Sequence, residues 1–184
     1  KGIIVPDISP EAICKVIEEN DTIRNIKEME VDTRKVLFVV QEVTFSSRYR
    51  VEHLREQLVQ KGIKSDCISI KNIKECNIKE YISIVVYRIS DYDNLKKLKS
   101  KAQKEHIKVY YDIDDYIFNY DAIKNIGFLK GKEYKNFKEY TKIIKNCMDI
   151  CDAYIVSTVN LKNVVQQQFV NKKVIINRNV ASME

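Results

Sequence analysis

The chain has 184 residues, of which 45% are hydrophobic and 32% are charged, so it holds enough apolar material for one main domain. No apolar block approaches the roughly 20 residues that a membrane-spanning helix requires, which excludes a transmembrane segment. The net charge of +6 comes from lysines mixed with glutamates, a balance that does not separate nucleic acid, anionic membranes and phosphorylated ligands as partners.

The five cysteines are an odd number, and their spacings match no zinc-binding pattern with each other or with the two histidines. They predict reduced thiols in a cytoplasmic protein with no metal site. The sequence starts without an initiating Met or a signal sequence, so we expect it to be part of a longer protein.

Residues 1–34 are predicted to form a helical lead-in, because Ser9-Pro10-Glu11 is typical of a helix start. From Lys35 onward, strand patterns begin with the continuous apolar run Val36–Val40, which predicts a strand buried on both faces, and amphipathic segments between the strands predict helices. The predicted strands are Val36–Val40, Asp66–Ile70, Ile82–Tyr87, Ile107–Ile113, Ala153–Ser157 and Val174–Ile176. The predicted helices are Arg48–Lys61, Ile73–Glu80, Asp91–Glu105, Lys132–Cys151 and Asn160–Phe169.

This alternation predicts an α/β fold of Rossmann type, with a doubly wound, mostly parallel sheet of about six strands and helices on both faces. Ligands of such folds bind at the carboxyl ends of the strands, so the residues that follow each strand are the informative ones. In this chain those segments are unusually polar.

The loop after the first strand has no glycine, which excludes a dinucleotide fingerprint and a P-loop. Ser46 and Ser47 precede a helix whose first turn adds Arg48 and Arg50, a combination suited to a phosphate or another anion. The alternative is that a serine only caps the helix and that the arginines are solvated.

Asp112, Asp114 and Asp115 follow the fourth predicted strand and place three carboxylates within four residues. Their repulsion must be offset, and a Mg²⁺ site, a receiver-like acidic cluster and a hydroxyl-binding site are the alternatives. We favour the last, in which Asp114 and Asp115 cap the next helix and contact a hydroxylated substrate while Asp112 pairs with Arg88. Plain helix capping is the next alternative. The two histidines are predicted to be structural.

Six segments together resemble the N-terminal domain of bacterial GT-B glycosyltransferases that build cell-surface polysaccharides. These segments cover most of residues 35–184 and read KVLFVVQE, RYRVEHLREQL, ISIVVYR, VYYDIDDYIF, CDAYIVSTVNLKNVV and KVIINRNVASME. The resemblance implies the acceptor-binding half of an enzyme that transfers a sugar from a nucleoside diphosphate sugar without a catalytic metal. It also implies that Asn177-Arg178-Asn179 leads to a C-terminal donor domain, which is absent from this chain.

Under this resemblance the catalytic candidates are Asp114 and Asp115. The substrate-binding candidates are Ser46, Ser47, Arg48, Arg50, Arg88, Asp112, Ser157 and Thr158. The expected partners are the C-terminal domain and a sugar or glycan acceptor, with no cofactor and no nucleic acid. The protein is expected in the cytoplasm, with a peripheral contact with the anionic inner face of the membrane as an alternative. The alternative function is a non-catalytic domain that docks a protein or such a membrane through its basic segment 124–145.

Overall fold

The computed structural model describes residues 35–120, residue 124 and residues 130–179. Strands and helices alternate along these residues. The strands are β1 (Lys35–Val40), β2 (Lys64–Ser69), β3 (Ser83–Tyr87), β4 (Lys108–Ile113), β5 (Ala153–Val156) and β6 (Lys173–Ile176). The predicted helical lead-in at residues 1–34 lies outside the described residues.

The helical segment after β1, here called α1, begins with an α-helical turn (Phe45–Ser47) and a π-helical stretch (Arg48–Glu52). It continues as a regular α-helix (His53–Gln60) and ends before Gly62, whose φ of +73° is the left-handed conformation that favours glycine after a helix. The other helices are α2 (Tyr92–Lys104), α3 (Gly131–Asp149) and α4 (Val159–Gln168).

The six strands form one sheet in the order β2-β1-β3-β4-β5-β6, and every neighbouring pair is parallel. One face of the sheet packs against α2, α3 and α4, through residues such as Leu98, Ile144 and Val165. The other face packs against α1, through Val51 and Leu54. The predicted Rossmann-like α/β fold with helices on both faces is therefore confirmed.

Two predicted helices differ from the structure. The single helix expected between β2 and β3 is replaced by two short 3₁₀ turns, Ile70–Asn72 and Ile78–Glu80. Each turn begins with a buried isoleucine that packs on the core, so burial of separate anchors outweighs one continuous helix. The helix predicted to begin at Arg48 begins instead at Phe45, and its second turn is a π-helix.

The strand order reverses between β1 and β3, because the chain continues from β1 to β2 on one side and then returns to β3 on the other. The parallel register places Val40 opposite Tyr87, and Tyr87 opposite Asp112, so these strands end close together. In open α/β sheets the crevice at such a reversal is the usual ligand position.

Candidate functional site

A fully buried ion pair lies beneath the carboxyl edge of the sheet. Arg50 of α1 donates through Nε and Nη2 to Oδ1 of Asp112 on β4, at 3.0 and 2.7 Å. Its Nη1 donates to the main-chain oxygen of Asn177 and, at 3.1 Å, to the side-chain oxygen of Asn179. Arg50 therefore ties together α1, the end of β4 and the segment that follows β6.

The partner of Asp112 differs from the expectation, which paired it with Arg88. Both Arg50 and Asp112 have no exposed surface, so their burial argues against the direct substrate contacts predicted for them. Burial raises the pKa of Asp112 to about 6, and the neighbouring charge and hydrogen bonds of Arg50 offset only part of this increase. The Oδ2 atom of Asp112 has no hydrogen-bond partner among the described residues.

Arg88 pairs instead with the two other aspartates. Its Nη1 lies 2.9 Å from Oδ2 of Asp115 and 3.7 Å from Oδ1 of Asp114. The hydroxyl of Tyr87 donates to Asp114, with both carboxylate oxygens at 3.2 Å. Ser157 donates to the main-chain oxygen of Asp114 at 3.1 Å and so joins β5 to this cluster.

Tyr87 and Arg88 each keep one protonation state at neutral pH. Burial raises the pKa of the Tyr87 hydroxyl and the charge of Asp114 adds to the increase, so the phenol remains a neutral donor. Burial alone would lower the pKa of Arg88, but its contacts with Tyr87 and Asp114 outweigh burial and raise it. Asp114 and Asp115 cap no helix, because none begins within residues 114–119, so the capping interpretation is wrong.

The backbone of Arg88 is left-handed, with φ of +47°. A residue with a Cβ adopts this conformation at a cost of about 1–2 kcal/mol, and such residues are concentrated at sites where a side chain must be placed accurately. The turn keeps the main-chain NH of Arg88 bonded to the oxygen of Asp112 at 3.1 Å. It also directs the chain away from β3 towards α2.

The loop after β1 begins α1 with a capping box formed by Thr44 and Ser47 rather than with a serine cap. The side chain of Thr44 accepts from the NH of Ser47, and the side chain of Ser47 accepts from the NH of Thr44 at 2.9 Å. Ser47 is buried by this arrangement, whereas Ser46 is half-buried and lies 3.1 Å from the Thr44 hydroxyl. Of the two predicted serines, only Ser46 remains near a ligand position.

A cleft of about 320 Å³ opens at the reversal between β1 and β3, and we call it the switch-point cleft. Hydroxyl, amide and charged side chains dominate its wall. Its lining residues are Gln41, Glu42, Thr44, Ser46, Tyr87, Arg88, Ser90 and Tyr140. The side-chain oxygen of Gln41 accepts from the NH groups of Ser90 and Asp91, each at 3.2 Å, and so joins the two diverging loops.

The other predicted residues lie at the same edge of the sheet but outside this cleft. Arg48 is exposed on the first turns of α1. Thr158 is exposed and caps α4, because its hydroxyl accepts from the NH of Leu161 at 3.1 Å. Thr158 therefore has a structural role that accounts for it without a substrate.

The sequence interpretation did not single out several lining residues. Gln41, Glu42 and Thr44 belong to the polar loop after β1, in which the sequence favoured Ser46, Ser47, Arg48 and Arg50 instead. Tyr140 comes from α3, and its only sequence signal was its spacing of four residues from Ile144, which is buried in the core. The spacing indicates that Tyr140 lies beside the buried face of α3. It does not indicate that the side chain reaches the end of the sheet.

The chemistry of the switch-point cleft is that of hydrogen bonding to a polar ligand. Four hydroxyl side chains, one amide and two opposite charges line it besides Tyr140. Within the described residues no three His, Cys, Asp or Glu side chains are arranged to hold a metal ion. Nor does any helix in the described ranges have the length and apolarity needed to cross a membrane.

The basic segment at residues 124–145 is described only in part, because residues 125–129 lie outside the described residues. On α3, Lys142 pairs with Glu139 at 3.0 Å and Lys145 pairs with Asp149 at 2.9 Å. Lys138 lies 4.6 Å from the ring centre of Tyr120. The lysines of α3 are thus partly compensated and do not form a uniformly basic face.

Comparisons with known proteins give no family for this chain: no protein-family model matches it, and no curated protein matches it either.

Proposed function

We propose that this chain is the acceptor-binding half of a glycosyltransferase that uses a nucleoside diphosphate sugar as donor. The observation that carries the proposal is the switch-point cleft, which lies where α/β sheets bind ligands and offers mainly hydroxyl and amide groups. A sugar acceptor presents hydroxyls that both donate and accept hydrogen bonds. The hydroxyls of Ser46 and Thr44 can make both kinds of bond, and the side-chain nitrogen of Gln41 can donate.

The cluster beside the cleft supports the same proposal. Asp115 is 56% exposed and lies 2.9 Å from Arg88 of the cleft wall, and Asp114 beside it is held by Tyr87, so carboxylates lie beside the cleft. Such a carboxylate can accept a hydrogen bond from an attacking hydroxyl, and a glycosyl transfer needs that proton removed. Under the proposal Asp115 is the base candidate and Arg88 orients it.

The donor side of the reaction belongs, under this proposal, to a second domain that follows Asn179. Arg50 fixes the segment Asn177 to Asn179 at the same sheet edge as the cleft. A domain that continues from this segment would begin at the same edge of the sheet. The closed cleft between two such domains would exclude water from the transferred sugar.

The alternative, a non-catalytic domain that docks a partner or an anionic membrane through residues 124–145, has less support. The partly compensated lysines of α3 weaken it, and the one α3 residue that lines the cleft, Tyr140, is uncharged rather than basic. It predicts that substitutions in the switch-point cleft leave the activity of the protein unchanged.

A transfer assay tests the proposal in the protein that carries this sequence together with a donor domain. Release of nucleoside diphosphate is measured with a panel of nucleotide sugars and glycan acceptors. We expect Asp115→Ala to reduce turnover at least tenfold while the melting temperature stays nearly unchanged, because exposed ion pairs contribute only about 0–1 kcal/mol. Asp93→Ala, an exposed aspartate on α2, is the matched control. Turnover of Asp115→Ala equal to the wild type would contradict the assigned role.

A further inference from the structure

The charges around the switch-point cleft do not favour an anionic ligand. Only Glu42 and Arg88 among its lining residues are charged. Glu42 pairs with Lys71 at 3.5 Å, and both of these side chains are largely exposed. Arg88 is the cation nearest to any ligand in the cleft, so its own partners decide whether an anion can bind.

The positive charge of Arg88 is already compensated by two carboxylates. Asp115 lies 2.9 Å and Asp114 lies 3.7 Å from its Nη1 atom. An incoming phosphate would therefore compete with one carboxylate for the guanidinium and remain close to the other. Of the other arginines at this edge, Arg50 is fully buried and occupied by Asp112, so it offers no positive charge to the cleft. Arg48 is exposed and is not among the residues that line the cleft.

The neutral groups of the cleft point to a different ligand. The half-buried Ser46 and Ser90, the hydroxyl of Thr44 and the side chain of Tyr140 offer hydrogen bonds and a ring face without a net charge. Sugar rings bind by these two contacts, through hydroxyl hydrogen bonds and packing against an aromatic ring. The carboxylates of Asp114 and Asp115 lie close enough to repel a phosphate, whereas a neutral hydroxyl carries no net charge for them to repel.

We propose that the switch-point cleft selects uncharged, hydroxyl-rich ligands and excludes phosphate-bearing ones, and that Asp114 and Asp115 set this selectivity by neutralising Arg88. The proposal rests on the proposed function in one respect, since it names the chemical class of the acceptor as a neutral saccharide. Asp114 and Asp115 are then specificity-determining residues in addition to any part in proton transfer.

The test is a gain of anion binding on the 184-residue chain. Inorganic pyrophosphate is titrated into the wild type, Asp115→Asn and the double variant Asp114→Asn/Asp115→Asn at low salt, and binding is followed by calorimetry. We expect negligible binding to the wild type and a stepwise gain of about tenfold or more for each carboxylate removed, because each substitution removes one repulsive charge. The gain should decrease at 0.5 M salt.

Two controls assign the gain to Arg88. Adding Arg88→Gln to the double variant should abolish it, whereas adding Arg48→Ala, outside the cleft, should leave it intact. Asp115→Asn alone changes an exposed side chain, so it remains informative if the double variant fails to fold. Pyrophosphate binding to the wild type as tight as to the double variant would overturn the proposal.

A second titration tests the neutral ligand. Glucose, galactose, N-acetylglucosamine and cellobiose are added to the wild type and to Ser46→Ala, with Ser100→Ala on α2 as the control. We expect millimolar binding that Ser46→Ala weakens at least threefold; no binding by any of the four would overturn the assignment of a neutral saccharide. The two proposals fail separately: a cleft that binds pyrophosphate refutes the selectivity, and an absence of sugar transfer with every donor refutes the proposed function.

Discussion

At Arg50 and Asp112 two opposite charges are removed from water together, and the pair holds three segments of the chain. Such a pair contributes little net stability, because the loss of hydration offsets most of the attraction between the charges. Removing one partner is much more costly, at about 3–5 kcal/mol, because the other charge is left buried alone. The pair is therefore better understood as a device that fixes the position of Asn177 and Asn179.

Asp112 should make stability depend on pH in a definite direction. Its pKa in the folded protein, about 6, lies above the value near 3.9 expected for an unfolded aspartate. The stability that it contributes is therefore complete below pH 4 and is lost as the pH rises through 6. The free energy of unfolding of the wild type, minus that of Asp112→Asn, should fall by roughly 2–3 kcal/mol between pH 4 and pH 7.

Urea denaturation of both proteins at a series of pH values measures this difference, and other titrating groups cancel because both proteins contain them. The double variant Arg50→Met/Asp112→Leu, which removes both charges, provides a second reference if Asp112→Asn is too unstable. A difference that increases with pH would show that Arg50 lowers the pKa of Asp112 more than burial raises it.

Within residues 35–120 and 130–179, the turn between β3 and α2 holds a candidate functional residue, Arg88, in a backbone conformation that is unfavourable for a residue with a Cβ. Arg88 holds φ of +47° while its side chain reaches Asp114 and Asp115. Glycine would remove the steric cost of about 1–2 kcal/mol. Its greater freedom in the unfolded chain would return about 0.4–1 kcal/mol of that gain.

We therefore expect Arg88→Gly to be more stable than Arg88→Ala by roughly 0.5–1 kcal/mol. Both variants lose the same ion pairs, so the comparison isolates the backbone term. The control is Ser100 in the middle of α2, where glycine should be less stable than alanine by about 1 kcal/mol. Free energies of unfolding from urea titrations decide the matter, and equal stability of the two Arg88 variants would show that the turn is unstrained.

The sequence predicted the inner strands well because each is rich in apolar residues, and parallel strands between helices are buried on both faces. The edge strand β2 is more polar and only half-buried. The burial of Arg50 was not predicted, although its spacing from buried residues indicated it. Arg50, Leu54 and Leu58 are spaced by four residues and share the buried stripe of α1. The charge of arginine suggested an exposed side chain, whereas the spacing indicated the core. Burial of this charge is tolerated because Asp112 pairs with it and Asn177 and Asn179 accept its remaining hydrogen bonds.

The pairing of Arg88 with Asp115 rather than Asp112 was beyond the sequence for a different reason. Strand alternation places Asp112 on the face of the sheet that packs against α1, whereas Asp114 and Asp115 lie beyond the end of β4. Which aspartate pairs with Arg88 therefore depends on the residue at which β4 ends, and a change of one or two residues alters the answer. Element boundaries are uncertain by that amount when they are inferred from a pattern of apolar residues.

For the whole molecule, the order of the strands determines where a ligand can bind. The reversal between β1 and β3 separates the loops after these strands, and Gln41 spans the gap by accepting from the NH groups of Ser90 and Asp91. The same edge carries the segment from Asn177 to Asn179. Under the proposed function, one edge of one sheet would carry both the acceptor cleft and the interdomain junction.

This arrangement predicts that the 184-residue chain alone binds nucleoside diphosphate sugars only weakly, with dissociation constants in the millimolar range. The carboxylates around Arg88 repel a diphosphate, and under the proposed function the donor contacts belong to a second domain. Calorimetric titration with a panel of uridine, guanosine and thymidine diphosphate sugars, with and without Mg²⁺, measures the affinity. The double variant Asp114→Asn/Asp115→Asn serves as the comparison that should bind more tightly. A dissociation constant near 1 μM for the wild type, equivalent to about −8.2 kcal/mol, would instead assign the donor site to this domain and contradict the acceptor role.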